Sequence, residues 1–491
     1  MKKTTFLVLL GAIIASYSHA QYDFDAMHFS QSILQADARS TGVGGAFGAV
    51  GANVISSTIN PAGLGLFRKG EFSFSTGFTT TTTSSSYLGS QTRSGKNVLT
   101  IPSFGLVFTG INKADGKEVE KGWVSQSFAF NINRTNNFVG RFNYSGNNKS
   151  NSILEYFAES AKGRHKDDLP YLTSMAYDTW LIDNPNNPTT YITALDDDTF
   201  GLINIDQVKT SRVRGSAYDF NFAFAGNYSN LIYLGAKIGI PFLNYNASST
   251  YSETNNRPGK SNYVGMSYEN DLSVSGIGFN AGIGIILKPI DYLRIGGSIT
   301  SPTFYSLNET YKDKIIARLD TQDNQSATRN GTFDYSLTTP FRATASIAVI
   351  AGTFGFISLD YEYVDYTSAF LTSNIYSFNY ENNNIENFFR PVSNIRLGGE
   401  FKLGDFALRG GYGIYPTPYS PDYQPEKSDE AAKVLSFGFG FRDKEQYIDL
   451  AWQNISTSQF ETPYVLSNKD VEGVDYSLSK SSIILTLGFK F

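Results

Sequence analysis

Residues 36–70 read ADARSTGVGGAFGAVGANVISSTINPAGLGLFRKG, and the organisation of the chain turns on this stretch. It is dense in Gly, Ala, Ser and Val. It shows neither the two-residue alternation of a strand nor an amphipathic stripe long enough for an independent helix. Small residues let backbone pack against backbone, so the stretch reads as a compact wad rather than a sheet or a bundle. Asn60-Pro61-Ala62-Gly63-Leu64 closes it with a turn, because Pro fixes φ and Gly admits positive φ. Upstream, Phe29, Ile33 and Leu34 suggest a short helix within Gln21–Gln35. Downstream of Gly70 almost everything is strand-like.

Composition narrows the class. Phe 38, Tyr 31 and Gly 45 with only 17% charged residues is unusual for a soluble chain of this length. Mean hydropathy is nevertheless −0.23, and no long apolar run follows the first twenty residues, so no transmembrane helix is expected there. A membrane β-barrel produces this combination, since lipid-facing and lumen-facing residues alternate along each strand. Met1–Ala20 reads as an export signal: Lys2-Lys3, an apolar core Phe6–Ile14, and Ser18-His19-Ala20 before a cut at Gln21. Cys 0 removes disulfides, thiol catalysis, Cys metal sites and a lipoprotein anchor, and a net charge of −5 gives no nucleic-acid footprint.

About fourteen candidate strands, an even number as bacterial barrels require, run from Glu71–Thr80 and Leu99–Gly110 to Asp475–Phe491. Their connections alternate short and long. Tyr228-Ser229-Asn230, Ile350-Ala351-Gly352 and Gly404-Asp405 are short; Thr81–Val98, Ser145–Ser211, Asn308–Ser326 and Pro418–Ala432 are long. Short inner turns and long outer loops give this rhythm. The last strand sets Ile483, Leu485, Leu487, Phe489 and Phe491 on one side and Ser482, Thr486, Gly488 and Lys490 on the other. Leu435, Phe437 and Phe439 against Ser436, Gly438 and Gly440, and Ile448, Leu450 and Trp452 against Asp449, Ala451 and Gln453, divide the same way.

A small-residue N-terminal segment with Asn60-Pro61-Ala62, a barrel of this strand count, this loop rhythm and a terminal Phe491 together resemble the FadL/TodX family (outer membrane protein P1 family) of outer-membrane transporters, in its Bacteroidetes type. The resemblance implies an all-β transmembrane barrel over residues 70–491, with residues 21–69 as a hatch plugging the lumen. It implies passive uptake of hydrophobic small molecules such as long-chain fatty acids or aromatic hydrocarbons. Asn60, Pro61, Ala62 and Gly63 would form the hatch motif, and Phe47, Leu64, Leu66 and Phe67 would face a ligand pocket. An ordinary N-terminal extension packed on a domain is the other reading of the segment. The terminal Phe looks like the signal read by the barrel-insertion machinery. Outer-membrane lipid and a hydrophobic ligand are the remaining expected partners, and the protein is expected to be a monomer.

Charges on strands should face the lumen, because Arg or Lys on the lipid face at midplane costs roughly 2–4 kcal/mol. Arg294, Arg342, Asp360, Glu362, Arg396, Glu400, Arg409, Arg442 and Asp449 are the candidates. They read as an ion-pair belt holding the hatch, as a seat for a ligand carboxylate on paired guanidinium groups, or as a proton relay. The loop 145–211 is long enough to carry structure of its own. Ser152–Ala161 is helix-like, and Pro170 can open a second helix at its first position. Ile153, Phe157, Leu172, Met175 and Trp180 would then line an outer capture groove, as in FadL proteins, or pack the loop on the rim.

The third strand breaks its own pattern. Phe128, Phe130 and Ile132 hold one face and Asn131 and Asn133 the other; Arg134-Thr135-Asn136-Asn137 then interrupts before Phe138. Polar residues at membrane depth must face protein or water. In FadL proteins a kink in the third strand opens a lateral window, which makes Asn131, Asn133, Arg134 and Asn136 gate candidates; alternatively these residues lie above the membrane. Catalysis finds little support. His28 and His165 belong to no recognisable triad, and they do not make a convincing haem pocket. No cofactor or metal is expected. A rival function is that of a secretion or assembly partner, as the shuttle component of the type IX system also resembles this family.

Overall fold

The computed structural model describes residues 22–491 except 186, 197–202, 258, 321–322 and 422–430. The expected export signal and its cut at Gln21 lie outside the described residues. Eighteen strand segments join in one sheet; four strands are each interrupted once, so the sheet is a closed antiparallel barrel of 14 strands. These are β1 (Glu71–Tyr87), β2 (Ser90–Ile111), β3 (Trp123–Asn137, resumed as Gly140–Asn148), β4 (Ile205–Tyr228), β5 (Ile232–Asn255), β6 (Tyr263–Ile290) and β7 (Leu293–Thr300, resumed as Phe304–Leu319). There follow β8 (Gln325–Thr338, resumed as Arg342–Ile350), β9 (Gly355–Asp365, with Phe370–Thr372), β10 (Pro391–Leu403), β11 (Phe406–Tyr415), β12 (Ala432–Arg442), β13 (Gln446–Glu461) and β14 (Val474–Lys490). β14 returns to β1 from Glu71↔Lys490 to Ser86↔Asp475, which leaves no free sheet edge at the seam.

Side-chain facing follows the expected alternation. Ile483, Leu487 and Phe489 point out, whereas Ser482, Ile484 and Thr486 are buried inside; Phe437 and Phe439 point out beside buried Ser436. An outer wall of Ile, Leu and Phe suits lipid and would be a liability in water.

Two expected loops are strand instead. Thr81–Val98 is the upper half of the β1–β2 hairpin, paired up to Tyr87↔Ser90. Leu88 and Gly89 make the turn with φ of 48° and 77°, the double positive φ that matches strand twist. Asn308–Ser326 likewise begins as strand, with β7 reaching Leu319. The first was hidden because a Thr- and Ser-rich strand loses hydrophobic alternation while keeping β-branched residues, the second because Glu309, Lys312, Asp313 and Lys314 read as a polar loop. At the N-terminus, the helix forms at Tyr22–Ser30 (α1) rather than around Ile33 and Leu34.

Residues 36–67 lie in the barrel interior. Asp37 caps α2 (Ala38–Gly42) by accepting from Arg39 N and Ser40 N at 3.0 and 3.1 Å, and it accepts from Asn53 Nδ2 at 2.9 Å. Asn60 follows α3 (Ser56–Ile59); its side chain accepts from Ala62 N at 3.2 Å and donates to Gly48 O and Ile285 O at 2.8 and 3.2 Å. The wall admits this backbone through glycine. A Cβ on Gly411 would stand 2.1 Å from the Val43 carbonyl carbon, and one on Gly235 would stand 2.3 Å from that of Pro61.

The outer end carries its own core. Ser152 caps α4 (Ile153–Ala161), and Pro170 sits just before α5 (Tyr171–Asp178), at the cap rather than the first helical position. Buried Glu253 of β5 accepts from Ile153 N at 3.0 Å, Gln207 Nε2 at 2.8 Å and Tyr251 Oη at 2.8 Å, and also from Ser152 Oγ. α6 (Asn379–Phe388) packs beside α1.

The glycine floor predicts that Gly411→Ala unseats the N-terminal segment. Overpacking of this kind costs about 1–3 kcal/mol. A urea titration of the refolded protein should show that loss. Gly410→Ala, with no atom within 4 Å of the new Cβ, should leave the midpoint in place.

Candidate functional site

The lumen charges form two networks of ion pairs against the N-terminal segment, one centred on Glu400 and Asp449 and one on Asp360 and Glu362. Arg39 of α2 makes a forked pair with Glu400, Nε to Oε2 at 2.9 Å and Nη2 to Oε1 at 3.0 Å. Glu400 Oε2 also takes Arg409 Nε at 2.7 Å, Arg409 Nη1 reaches Asp449 Oδ1 at 2.7 Å, and Arg442 closes on Asp449. Around the wall, Asp360 accepts from the backbone of Phe47 and Gly48, each at 3.0 Å to Oδ2, with Arg396 Nη2 at 3.7 Å. Arg396 and Arg342 share Glu362 at 3.1 and 2.9 Å; Arg342 also donates to Ser30 O at 2.6 Å, and Arg294 donates to Val50 O. Each of these arginines therefore already has a protein acceptor. Arg342, Asp360, Glu362 and Arg396 meet in one network and Glu400, Arg409, Arg442 and Asp449 in the other. Arg294 stands apart on Val50 O, and Arg39, which lies in the N-terminal segment itself, is the member the sequence reading lacked.

The four pocket candidates are not brought together. Phe47 packs with Val43, Val50, Ile55 and Phe356; Leu64 and Phe67 pack with Val54, Val107 and Ala129; Leu66 lies against Ala62, Tyr233 and Ile286. They fasten the segment to three different parts of the wall, Leu64 and Phe67 sharing one. In the outer cap, Ile153, Phe157, Leu172 and Met175 share one closed core, while Trp180 stands outside it, 49% exposed. His28 is enclosed by Phe24, Phe29, Phe138 and Tyr245, with ring centroids at 5.9, 5.9, 4.9 and 5.5 Å. Burial pushes its imidazole down to about 4, so it is neutral at pH 7. His165 is an exposed cap residue beside Asp167.

The third strand departs from its neighbour where the polar run begins. β2 and β3 pair from Ile111↔Ser125 to Ser103↔Asn133 and no further. β3 stays on β4, with a register shift between Arg134 and Asn136 and a break between Asn137 and Gly140. Above that point it passes behind the β1–β2 hairpin: Thr81 Oγ1 donates to Val139 O at 3.0 Å, Ser85 Oγ to Asn143 O at 2.7 Å and Ser94 Oγ to Arg141 O at 3.1 Å. Residues 31–35 are tied to the kink. Arg134 Nη2 donates to Gln35 Oε1 at 3.1 Å, Asn136 Nδ2 to Gln31 O at 3.1 Å, and Ser32 Oγ to Thr135 O at 3.0 Å. Tyr218 of β4 spans the outside of the parting, its hydroxyl donating to Ile101 O of β2 at 3.2 Å.

No family model and no curated protein matches the sequence. Solved structures do match. The Pseudomonas putida toluene transporter TodX superposes with a TM-score of 0.54 at 12% identity, over 94% of this chain and 99% of that one. A Pseudomonas aeruginosa FadL homologue gives 0.53 at 12%, and the Ralstonia pickettii toluene transporter TbuX 0.51 at 14%, each over 94% of this chain and 99% of the other. The fold is that of the FadL and TodX barrels.

Within this FadL-type fold, sequence reasoning missed Arg39, Gln35, Tyr218 and Lys480. Lys480 of β14 donates to Asn137 O at 2.6 Å and so reaches the kink. Its signal was legible, as a lysine in alternation with Ser482 and Thr486 on the inward side of the strand. Tyr218 had none, because one more aromatic on an outer face looks like all the others.

Glu400→Gln should be the most damaging single change to the belt. It strips a buried carboxylate from two guanidinium groups, and breaking a buried pair costs about 3–5 kcal/mol. Arg68→Ala, which removes an exposed pair with Glu118, should cost roughly 0–1 kcal/mol. Urea unfolding of both variants checks the contrast.

Proposed function

We propose that the protein is an outer-membrane channel for passive uptake of small hydrophobic molecules, long-chain fatty acids or aromatic hydrocarbons, with residues 36–67 as its hatch and the β2–β3 parting as its lateral outlet. The observation that carries the reading is the loss of β2–β3 pairing above Ser103↔Asn133, beside an N-terminal segment packed against the inner wall. A ligand moving down the axis meets the ion belt; one moving sideways meets a wall whose ladder is already undone. Lipid lies on the far side, so an apolar ligand need not cross water. The likeness to TodX, TbuX and the FadL homologue supports the fold on which this route depends.

In this reading the belt is structural. Its carboxylates bind Arg39 and the Phe47–Gly48 backbone, so they hold the hatch rather than a ligand. The buried Ile153, Phe157, Leu172 and Met175 form the cap core, and a capture groove there requires the cap to open.

A second reading, a FadL-like barrel serving a secretion complex, is favoured by one observation: Phe47, Leu64, Leu66 and Phe67 are spent on packing instead of lining a common apolar cavity. Function separates the two. Asn131→Leu and Asn133→Leu should reduce uptake of labelled oleate or toluene by cells without reducing barrel yield, whereas a docking protein shows no uptake to lose. Deleting Ala36–Gly65 should open the pore to polar solutes, read as raised single-channel conductance in planar bilayers; unchanged conductance counts against the hatch.

A further inference from the structure

The lumen wall carries a polar row distinct from the ion belt. Asn131 of β3 is the cross-strand partner of Asn221 of β4, Asn221 of Gly239 on β5, and Gly239 of Asn280 on β6. Asp219 stands one step above Asn221 on the same face, opposite Asn133, and Lys237 one step below Gly239. Asn131, Asn221, Asp219 and Asn280 are each no more than 4% exposed. The row lies immediately below the point where β2 and β3 part.

The hydrogen bonds leave a one-sided remainder. Asn280 Nδ2 donates to Thr303 Oγ1 at 3.3 Å, and Asn221 Nδ2 to Asp219 O at 3.3 Å and Thr58 Oγ1 at 3.4 Å. Asn133 is satisfied by Ser103 and Thr58. Asp219 Oδ2 is balanced by Lys237 Nζ at 3.8 Å. Asn221 Oδ1, Asn280 Oδ1, Asp219 Oδ1 and both ends of the Asn131 amide are buried without a partner. Two of these oxygens converge: a Cβ on Gly239 would lie 2.5 Å from Asn280 Oδ1 and 2.7 Å from Asp219 Oδ1. Buried polar groups are normally paired, and four neighbours with unpaired atoms form a concentration of demand, mostly for donors.

Resting on the channel reading, we infer that this row binds the hydroxyl of an otherwise hydrophobic ligand, an alcohol or a phenol. A hydroxyl donates its one proton to one of these oxygens and accepts through its own oxygen. A carboxylate brings only acceptors to a place already rich in them, and a hydrocarbon leaves every group unpaired. A cation is not called for, since Lys237 already offsets Asp219. The chain seats a hydroxyl of its own on the row's edge, where Thr58 Oγ1 accepts from Asn133 Nδ2 at 2.8 Å.

The test uses the full barrel in detergent and three ten-carbon probes: 1-decanol, methyl decanoate and decanoate. Equilibrium dialysis should give decanol about tenfold tighter binding than either other probe, the worth of a buried hydrogen bond to an ionised or amide acceptor. Asn221→Leu removes one acceptor, and Gly239→Ala pushes a methyl between the converging oxygens; each should bring the decanol-to-ester ratio close to one. Gly239→Ala keeps the test open if Asn221→Leu does not fold. Equal binding of decanol and ester by the wild type, or a ratio unmoved by both substitutions, overturns the inference. Cellular uptake of the same probes separates its failure from that of the channel. If all three enter faster through the barrel without preference, the channel stands and the hydroxyl site falls. If none does, both fall.

Discussion

Two buried carboxylates hold the structure to its arrangement. Glu400 grips the Arg39 guanidinium by both oxygens, and Asp360 accepts the Phe47 and Gly48 backbone N–H groups. Carboxyl groups buried this deeply need such partners, and Arg39 could not be buried without Glu400. Wall and segment therefore depend on each other. An empty lumen would strand Glu400 and Asp360 with fewer partners, and a detached segment would carry an unpaired arginine.

The belt explains why the segment has the composition it has. To reach wall carboxylates its backbone must come within van der Waals distance of the strands, which requires small residues on both sides: Gly, Ala and Ser in the segment, Gly235 and Gly411 in the wall. Large apolar residues pack directly on the wall, Phe47 against Phe356 and Leu64 with Val107. Packing and charge divide the work, with apolar contacts filling space and ion pairs setting position.

The kink in β3 follows from the same competition for partners. Arg134, Thr135 and Asn136 would leave polar groups in the wall if β3 stayed in register with β2. By turning inward they meet Gln35, Ser32 and Gln31 on the approach to the segment. The ladder is given up on one side, and interior hydrogen bonds replace it. The parting between β2 and β3 is thus a consequence of filling the lumen, and Tyr218 bridges its outer side.

Much of this was legible in the sequence because its physical cause is local. Alternation of Phe437 with Ser436, or Leu487 with Thr486, follows directly from a two-residue period between lipid and lumen. The small-residue run at 36–70 and the interruption at Arg134–Asn137 also announce themselves by composition. Strand length above the membrane was not legible, because Thr81–Ser86 faces no lipid and so carries no alternation. The outer groove and the common pocket expected from Phe157 or Phe47 were equally beyond it, since an apolar residue reads the same whether it lines a cavity or fills one. Which residues meet across the lumen was decided only by closure of the barrel. Arg39 finds Glu400 across 361 positions of chain, and Asn131, Asn221 and Asn280 share one height only because three ladders place them in register. Sequence fixes the period along each strand; the register between strands is a property of the closed sheet.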